Sequence, residues 1–367
     1  MDYGKSMSLF NIFQDTHVLI SGHTGFKGSW LSTWLSQLGA KVIGLSDRVP
    51  TEPAHYTLIK ENLYSDLRID VKNVDAVYSM INEIQPEFVF HLAAQPIVLE
   101  SYANPLDTFN TNVIGTGNVL DALRRSNHKC IAIMITSDKC YDNVEWTYGY
   151  RETDRLGGKD PYSGSKGAAE LLIHSYVESY FKKPESNVRV GVGRAGNVIG
   201  GGDWAPFRII PDCVQAWSKN KKSEIRSPLA TRPWQHVLEP LSGYISLALS
   251  LSKNNKLNGE AFNFGPPAHQ NHTVKELVDE IVTHWDGADW LDKSHDNTAP
   301  TEASLLKLNC DKALHSLEWQ ATLTFKETAK WTGDWYRTYY EDGPEAANNK
   351  TLHQINDYMK IANDRNT

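Results

Sequence analysis

The sequence predicts an α/β chain, a Rossmann-type doubly wound parallel sheet with a smaller α/β lobe, on three observations. Short apolar runs alternate with stretches of helical spacing through the first half of the chain. The runs are apolar almost throughout, as strands covered on both faces must be. The first run leads straight into glycines, at the carboxyl end where such sheets bind ligands.

In order, the first strand is His17-Val-Leu-Ile-Ser21, and Trp30 to Leu38 has helical spacing. Lys41-Val-Ile-Gly-Leu45 is the second strand, and a third, short one precedes Asp70. The helical stretch Val74 to Ile84 leads to the strand Phe88-Val-Phe-His-Leu92. Then come the helix Thr108 to Arg125, the strand Cys130-Ile-Ala-Ile-Met-Ile-Thr136, the helix Lys166 to Tyr180 and the strand Val188 to Gly193. Met1 to Ser6 reads as a loose extension. After Gly200 glycine, proline and tryptophan become frequent and the elements shorten. Residues 1–190 are therefore expected to form the dinucleotide-binding domain. Residues 237–262, with a helix over Pro240 to Leu251, return to it, and 191–236 plus 263–367 form a substrate lobe.

The 367 residues, 40% hydrophobic and 22% charged, are ordinary for a globular chain. The net charge of −7 is spread without blocks of one sign, which argues against a nucleic-acid partner but not against a local anion pocket. Cys130, Cys140, Cys213 and Cys310 are scattered, with no Cys-x-x-Cys pair and no His-Glu-x-x-His run. No metal site is expected, and buried free thiols in a reducing compartment are. Met7 to Phe13 is too short for a signal peptide or a span, and no later window is apolar enough to cross a bilayer. A cytoplasmic protein without a membrane partner is the expectation.

Gly22-His-Thr-Gly25-Phe-Lys-Gly28 lies between the first strand and the first helix. Glycines there permit a tight turn, close approach of a pyrophosphate and close helix–strand packing, with the helix N–H groups facing the negative charge. A P-loop is excluded because Lys27 precedes the last glycine. NAD is the expected cofactor, with Gly22, Thr24, Gly25, Phe26, Lys27 and Gly28 around it. Asp47, just past the second strand, suits an adenosine ribose, although Arg48 beside it could accept a 2′-phosphate. Asp70 could cap the adenine or merely close a loop.

Thr136-Ser-Asp-Lys-Cys-Tyr141 ends a strand, and Tyr162-Ser-Gly-Ser-Lys166 places a tyrosine and a lysine on one helix face. A phenolate at neutral pH needs stabilising by roughly 3 units, about 4 kcal/mol. The Lys166 ammonium and a nicotinamide cation could supply most of it. Tyr162 would then take a hydroxyl proton while hydride leaves the same carbon. Tyr-x-x-x-Lys alone is common by chance. With the glycine loop and a strand-end Ser137 it is a strong combination, and one that a non-catalytic NAD-binding module has no use for.

On Thr24-Gly-Phe-Lys-Gly28, His91-Leu-Ala-Ala-Gln95, Asn112-Val-Ile-Gly-Thr116, Tyr162 and Lys166, the chain resembles the extended short-chain dehydrogenase/reductase family over nearly its whole length. The resemblance implies a nucleotide-diphosphate sugar as substrate. It implies cofactor contacts at Gly22, Gly25, Gly28, Asp70, Leu92, Ala93, Ala94, Asn112, Tyr162 and Lys166. It also implies a homodimer, or a dimer of dimers, through the helices over Thr108 to Arg125 and after Tyr162.

Epimerases of that family need only the Tyr/Lys/Ser set, whereas dehydratases add an acid and a base. Here Asp138 and Lys139 follow Ser137, and unless they are an exposed turn pair they imply proton chemistry beyond hydride transfer. In a 4,6-dehydration, oxidation at C4 makes the C5 proton acidic, a base removes it, and an acid protonates the departing C6 hydroxyl. Asp138 is the expected acid and Lys139, in its neutral form, the expected base. The Ser-Asp-Lys triplet resembles the CDP-glucose 4,6-dehydratase subgroup, where dTDP-glucose enzymes carry Thr-Asp-Glu. Gly193-Arg-Ala-Gly-Asn-Val-Ile-Gly-Gly-Gly-Asp-Trp-Ala205, Ala230-Thr-Arg-Pro-Trp-Gln-His-Val-Leu-Glu-Pro240 and Leu305-Leu-Lys-Leu308 agree with it. The implied setting is 3,6-dideoxyhexose supply for the lipopolysaccharide O-antigen. Leu99 and Ser304 depart from that subgroup, where an arginine and a histidine are expected.

Fixed guanidinium groups bind a diphosphate well. Arg208 and Arg232 are the candidates, with Asn197 and Gln95 as amide contacts and Gln235 and His236 beside the base or ribose. Trp204 and Trp234 either stack on the base or fill the core.

Overall fold

The computed structural model describes residues 11–268, 270–295 and 305–365. Ser304, one of the two departures, lies outside them. Seven strands form one parallel sheet: β1 (His17–Ser21), β2 (Lys41–Leu45), β3 (Ser65–Leu67), β4 (Phe88–His91), β5 (Cys130–Ile135), β6 (Val188–Ala195) and β7 (Ala261–Phe264). Their order is β7-β6-β5-β4-β1-β2-β3. The chain runs outward from β1 to β3 and then crosses back to β4 on the other side of β1. That reversal opens a crevice at the carboxyl ends of β1 and β4. Ser21 stands level with Leu45 of β2 on one side and His91 of β4 on the other, so the loops after all three strands emerge together.

The same strands feed two cores. Val18, Ile20, Val42, Phe88, Phe90, Ile133 and Ile135 point into one, and Leu19, Ile43, Leu45, Val89, Ala132, Met134, Val190 and Val192 into the other. Each buried Val, Leu, Ile or Phe contributes about 1.5–3 kcal/mol. Two-sided burial is why these strands carry no polar alternation.

The helices that position the site are α1 (Phe26–Gln37), α2 (Val74–Ile84), α3 (Gly115–Ser126) and α4 (Pro161–Tyr176). After them come α5 (Ile209–Trp217), α6 (Leu238–Lys253), α7 (Val274–Val282), α8 (Phe325–Glu341) and α9 (Pro344–Arg365). α4 begins five residues before the expected Lys166, because Asp160 accepts the Ser163 N–H as N-cap and Pro161 takes the first position. α3 continues a helix that starts at Pro105, and a π-helical turn over Asn110–Ile114 interrupts it.

The C-terminal helices, expected in the substrate lobe with residues 263–367, also reach the first domain. α8 and α9 pack on the sheet side that carries α1 and α6. Trp34 of α1 meets Tyr358 of α9 edge-on at 5.6 Å, and His55 Nε2 lies 3.0 Å from Thr351 Oγ1. One continuous hydrophobic cluster runs from Phe13 to Tyr358. α8 packs on α7 and on Gln235–His236, and α9 lies against α8 and against α1 of the first domain. Three two-stranded pairs build that lobe: Val198–Ile199 with Gln235–His236, Ser223–Ile225 with Trp290–Asp292, and Thr231–Arg232 with His272–Thr273.

Candidate active site

The glycine turn fits the crevice through what it lacks. Gly22 has φ +76°, and a Cβ there would sit 2.7 Å from the Ala93 backbone nitrogen. A Cβ on Gly28 would stand 2.1 Å from the Gly22 carbonyl oxygen, so α1 can start this close to β1 only without a side chain. Gly25 is the N-cap of α1 and makes no side-chain cap bond, which leaves the helix N–H groups facing the crevice. The loop after β4 is tied down beside it: Leu92 N–H donates to the Ser21 carbonyl at 3.0 Å, and Ala93 N–H to the Ser21 hydroxyl at 3.3 Å. Thr24 Oγ1 donates to the Arg48 carbonyl at 2.7 Å, joining the glycine turn to the loop after β2.

β5 delivers the next group. Ser137 ends the strand in extended conformation and caps a 3₁₀ turn over Asp138–Cys140, its hydroxyl accepting the Lys139 N–H at 3.2 Å and donating to Asp138 Oδ1 at 2.9 Å. Asp138 is almost fully buried, and a Cβ on Gly196 would lie 2.9 Å from its Oδ2. Lys139 is half-buried.

Opposite stands α4, with Tyr162 and Lys166 one turn apart and both buried. Burial pushes the Tyr162 phenol up to about 12; the Ser137 hydroxyl bonded to it and the Arg208 charge oppose that, and the Asp138 carboxylate adds to it. Burial lowers Lys166 to about 8 against the negative charge of Glu170. Burial likewise lowers Lys27 to about 8, helped by Arg208 and Lys166 and opposed by Asp138. Lys27, Lys166 and Arg208 thus bring three cationic side chains to this end of the sheet, where Asp138, Asp203 and Glu170 stand against them.

A family model described as GDP-mannose 4,6 dehydratase matches residues 19–332. The chain belongs to that family. Among GDP-mannose 4,6 dehydratase family relatives, the CDP-glucose 4,6-dehydratase of Salmonella typhimurium is 44% identical over 337 residues, covering 89% of this chain and 93% of that protein. The dTDP-glucose 4,6-dehydratase of Streptomyces antibioticus is 26% identical over 88% of this chain and 92% of its own. The same fold is seen in the dTDP-glucose 4,6-dehydratase of Bacillus anthracis in complex with NAD. Its TM-score is 0.73 at 22% identity, over 90% of this chain and 99% of that one.

Within this family frame, the structure brings Gly22, Gly25, Phe26, Lys27, Gly28, Leu92, Ala93, Ala94, Ser137, Asp138, Lys139, Tyr162, Lys166 and Arg208 to one end of the sheet. Asp47 is exposed at the end of β2, 3.9 Å from Arg48 Nε. The Asp70 carboxylate accepts the Lys72 N–H at 2.9 Å, closing its own loop. Asn197 is half-buried after β6, and Arg232 donates to the Thr231 carbonyl at 2.8 Å. Leu99 is an exposed helix residue.

The remaining candidates make their contacts inside the protein. Asn112 is buried and spends its amide inside the protein, accepting Gln95 N–H at 2.8 Å and donating to Ser165 Oγ at 2.8 Å. Gln95 does the same, donating to Thr108 Oγ1 at 2.9 Å and accepting the Ile97 N–H at 2.5 Å. The π-helical turn aims Asn112 at this loop, so the pair shapes the crevice without facing it. His236 is fully buried among Trp30, Trp331 and Gly200, and burial lowers it to about 3. Gln235 is buried beside it and donates to the Phe264 carbonyl at 3.2 Å. Trp204 and Trp234 fill the core, donating to Tyr340 Oη at 3.2 Å and the His272 carbonyl at 3.0 Å.

Sequence reasoning missed Asp203, which accepts from Arg208 Nη1 at 2.7 Å, and the buried Glu170–Arg194 pair behind Lys166. Glu170, four residues after Lys166 on the same helix face, was the available signal.

Proposed function

We propose that this chain is an NAD-dependent CDP-glucose 4,6-dehydratase, a hydro-lyase converting CDP-glucose to CDP-4-dehydro-6-deoxyglucose and water. The observation that carries this reading is the turn Ser137–Asp138–Lys139, an ionisable pair held beside the serine and opposite Tyr162. An epimerase has no use for that pair. The Salmonella relative supports the choice of nucleotide.

The cradle fits NAD. Gly22, Gly25 and Gly28 would admit its pyrophosphate, Asp47 its adenosine ribose, Asp70 the adenine side, and Ala93 and Ala94 the opposite wall. When bound, NAD supplies a hydride acceptor at C4 of the sugar and the same hydride for return to C6, so no net oxidation results.

The chain's own groups do the rest. Tyr162 accepts the proton of the C4 hydroxyl. A phenol raised to about 12 requires help, which the Lys166 ammonium and the cofactor's positive charge would provide, together with the Ser137 hydroxyl once it turns its proton from Asp138 to the phenol. Lys139, as the free amine, removes the C5 proton made acidic by the C4 ketone. Asp138, entering this step protonated, gives its proton to the departing C6 hydroxyl, which leaves as water; Lys139 returns a proton to C5 as C6 takes the hydride, and the proton held on Tyr162 restores Asp138 through solvent. Arg208 and Arg232, with Asn197, grip the diphosphate.

The helix face bearing Leu106 and Ile114, and Leu171 on neighbouring α4, leave large apolar side chains exposed, 78%, 52% and 60% respectively. They support a homodimer, or dimer of dimers, through these helices. Among the described residues no helix is long and apolar enough to cross a membrane. A cytoplasmic role in dideoxysugar supply for O-antigen belongs to the same reading. Incubating the protein and NAD with CDP-, dTDP-, GDP- and UDP-glucose separately tests it. Water loss from CDP-glucose alone is expected, whereas another nucleotide reacting would replace the substrate, and epimerised sugar without water loss would replace the reaction.

A further inference from the structure

Behind the catalytic side chains lies a closed ionic layer. Glu170 and Arg194 are 4% and 5% exposed and meet in a two-point contact, Arg194 Nε to Oε1 and Nη2 to Oε2, each 2.8 Å. Oε1 also accepts the Thr136 hydroxyl at 2.5 Å. Arg194 continues to Tyr141 Oη at 2.8 Å and the Glu152 carbonyl at 3.0 Å, and Tyr141 donates to Asn263 Oδ1 at 2.7 Å. Glu170 thus links three elements. α4 carries it two turns beyond Tyr162 and one beyond Lys166. β5 leads through Thr136 into Ser137, and β6 carries Arg194 just before Gly196 at the back of Asp138. A buried ion pair is costly to maintain against an apolar pair of the same volume. Its place here has a functional reason.

We propose that Glu170 is a positioning residue for the oxidation step. One buried carboxylate locks α4, β5 and β6 in register at the catalytic level and holds negative charge under the Lys166 ammonium. The proposal rests on the assignment of Tyr162 and Lys166 to that step. Lys166 is faced by Lys27 from the start of α1, His91 from β4, Cys140 from the turn after β5, and Glu170 from its own helix. His91 is neutral, lowered to about 3 by burial, and the Cys140 thiol is pushed well up by burial. Lys27 is a like charge. Of these four, Glu170 alone is an ionised acid, so it is the group that keeps Lys166 charged where burial favours the amine.

The test uses Glu170→Gln combined with Arg194→Met, which removes both charges and leaves no buried ion unpaired. Acetic anhydride labelling of Lys166 as a function of pH, read on its peptide by mass spectrometry, reports the lysine's titration without sugar chemistry. The midpoint is expected to fall by about one unit or more, with a loss of turnover at pH 8 of about fivefold or more relative to wild type that narrows at lower pH. Glu170→Asp keeps the charge and is expected to keep the wild-type midpoint while turnover falls. Thr136→Val cuts only the tie to β5, and is expected to lower kcat about tenfold with the Lys166 midpoint unmoved. An unmoved midpoint in the neutral pair, or wild-type kcat in Thr136→Val, overturns the proposal. Because labelling needs no substrate, a protein inactive on every sugar nucleotide would instead refute the reading of its function.

Discussion

Ser137 donates to Asp138 Oδ1 at 2.9 Å, on the same turn where Lys139 N–H returns to the Ser137 hydroxyl. One hydroxyl therefore meets both the Tyr162 phenol and the expected acid. Asp138→Asn is expected to retain C4 oxidation, seen as reduced-cofactor absorbance on adding CDP-glucose. Water elimination should fall by about 100-fold or more. Rapid-mixing absorbance and product analysis on one sample separate the two steps, and full dehydration by this variant would remove Asp138 from the acid role.

Gly28→Ala places a methyl 2.1 Å from the Gly22 carbonyl, so α1 must move away from β1. Because the helix start is what would hold the pyrophosphate, the variant is expected to weaken NAD binding by at least about 100-fold. Much of a charge-assisted contact is lost within a few tenths of an ångström. Calorimetric titration with NAD measures it, and unchanged affinity would move the cofactor elsewhere.

Arg208 holds Asp203 at 2.7 Å and also acts on Tyr162. Arg208→Met is expected to raise KM for the sugar nucleotide about 10- to 100-fold, the range of a charged hydrogen bond. Free nucleoside diphosphate should lose inhibitory strength in parallel. Initial-rate kinetics at two salt concentrations check this, since removal of the guanidinium should also flatten the salt dependence.

His55, His91 and His236 are buried and each lowered to about 3 by desolvation. An unfolded histidine titrates near 6.5, so between the two values the unfolded chain binds more protons and stability falls as pH falls. At pH 5 each residue is expected to cost about 2 kcal/mol relative to pH 7. Urea denaturation at pH 7 and 5 measures the loss, and His55→Gln should reduce it.

The sheet was legible because strands covered on both faces are apolar through their middles, as β1, β4 and β5 are, and β6 keeps the pattern apart from Arg189 and Arg194. The glycine turn and the Tyr162/Lys166 pair were legible because their requirements are local: a missing Cβ, or two side chains one helical turn apart. What depends on distant partners was not. Gln95 and Asn112 carry amides that suit a ligand, and only tertiary packing decides that they bond each other and Thr108. Glu170 and Arg194 are 24 residues apart, on a helix and a strand, and nothing in spacing joins them. That the C-terminal helices reach α1 was not legible either, because amphipathic spacing reveals an apolar face without revealing what covers it.

The most direct test of the central claim is the mass of the product formed from CDP-glucose with the protein and NAD in deuterated water. A product one water lighter, with one solvent deuterium at C5 and no net reduced cofactor, is the predicted result. A product of unchanged mass, or one that has lost water without deuterium at C5, would contradict it.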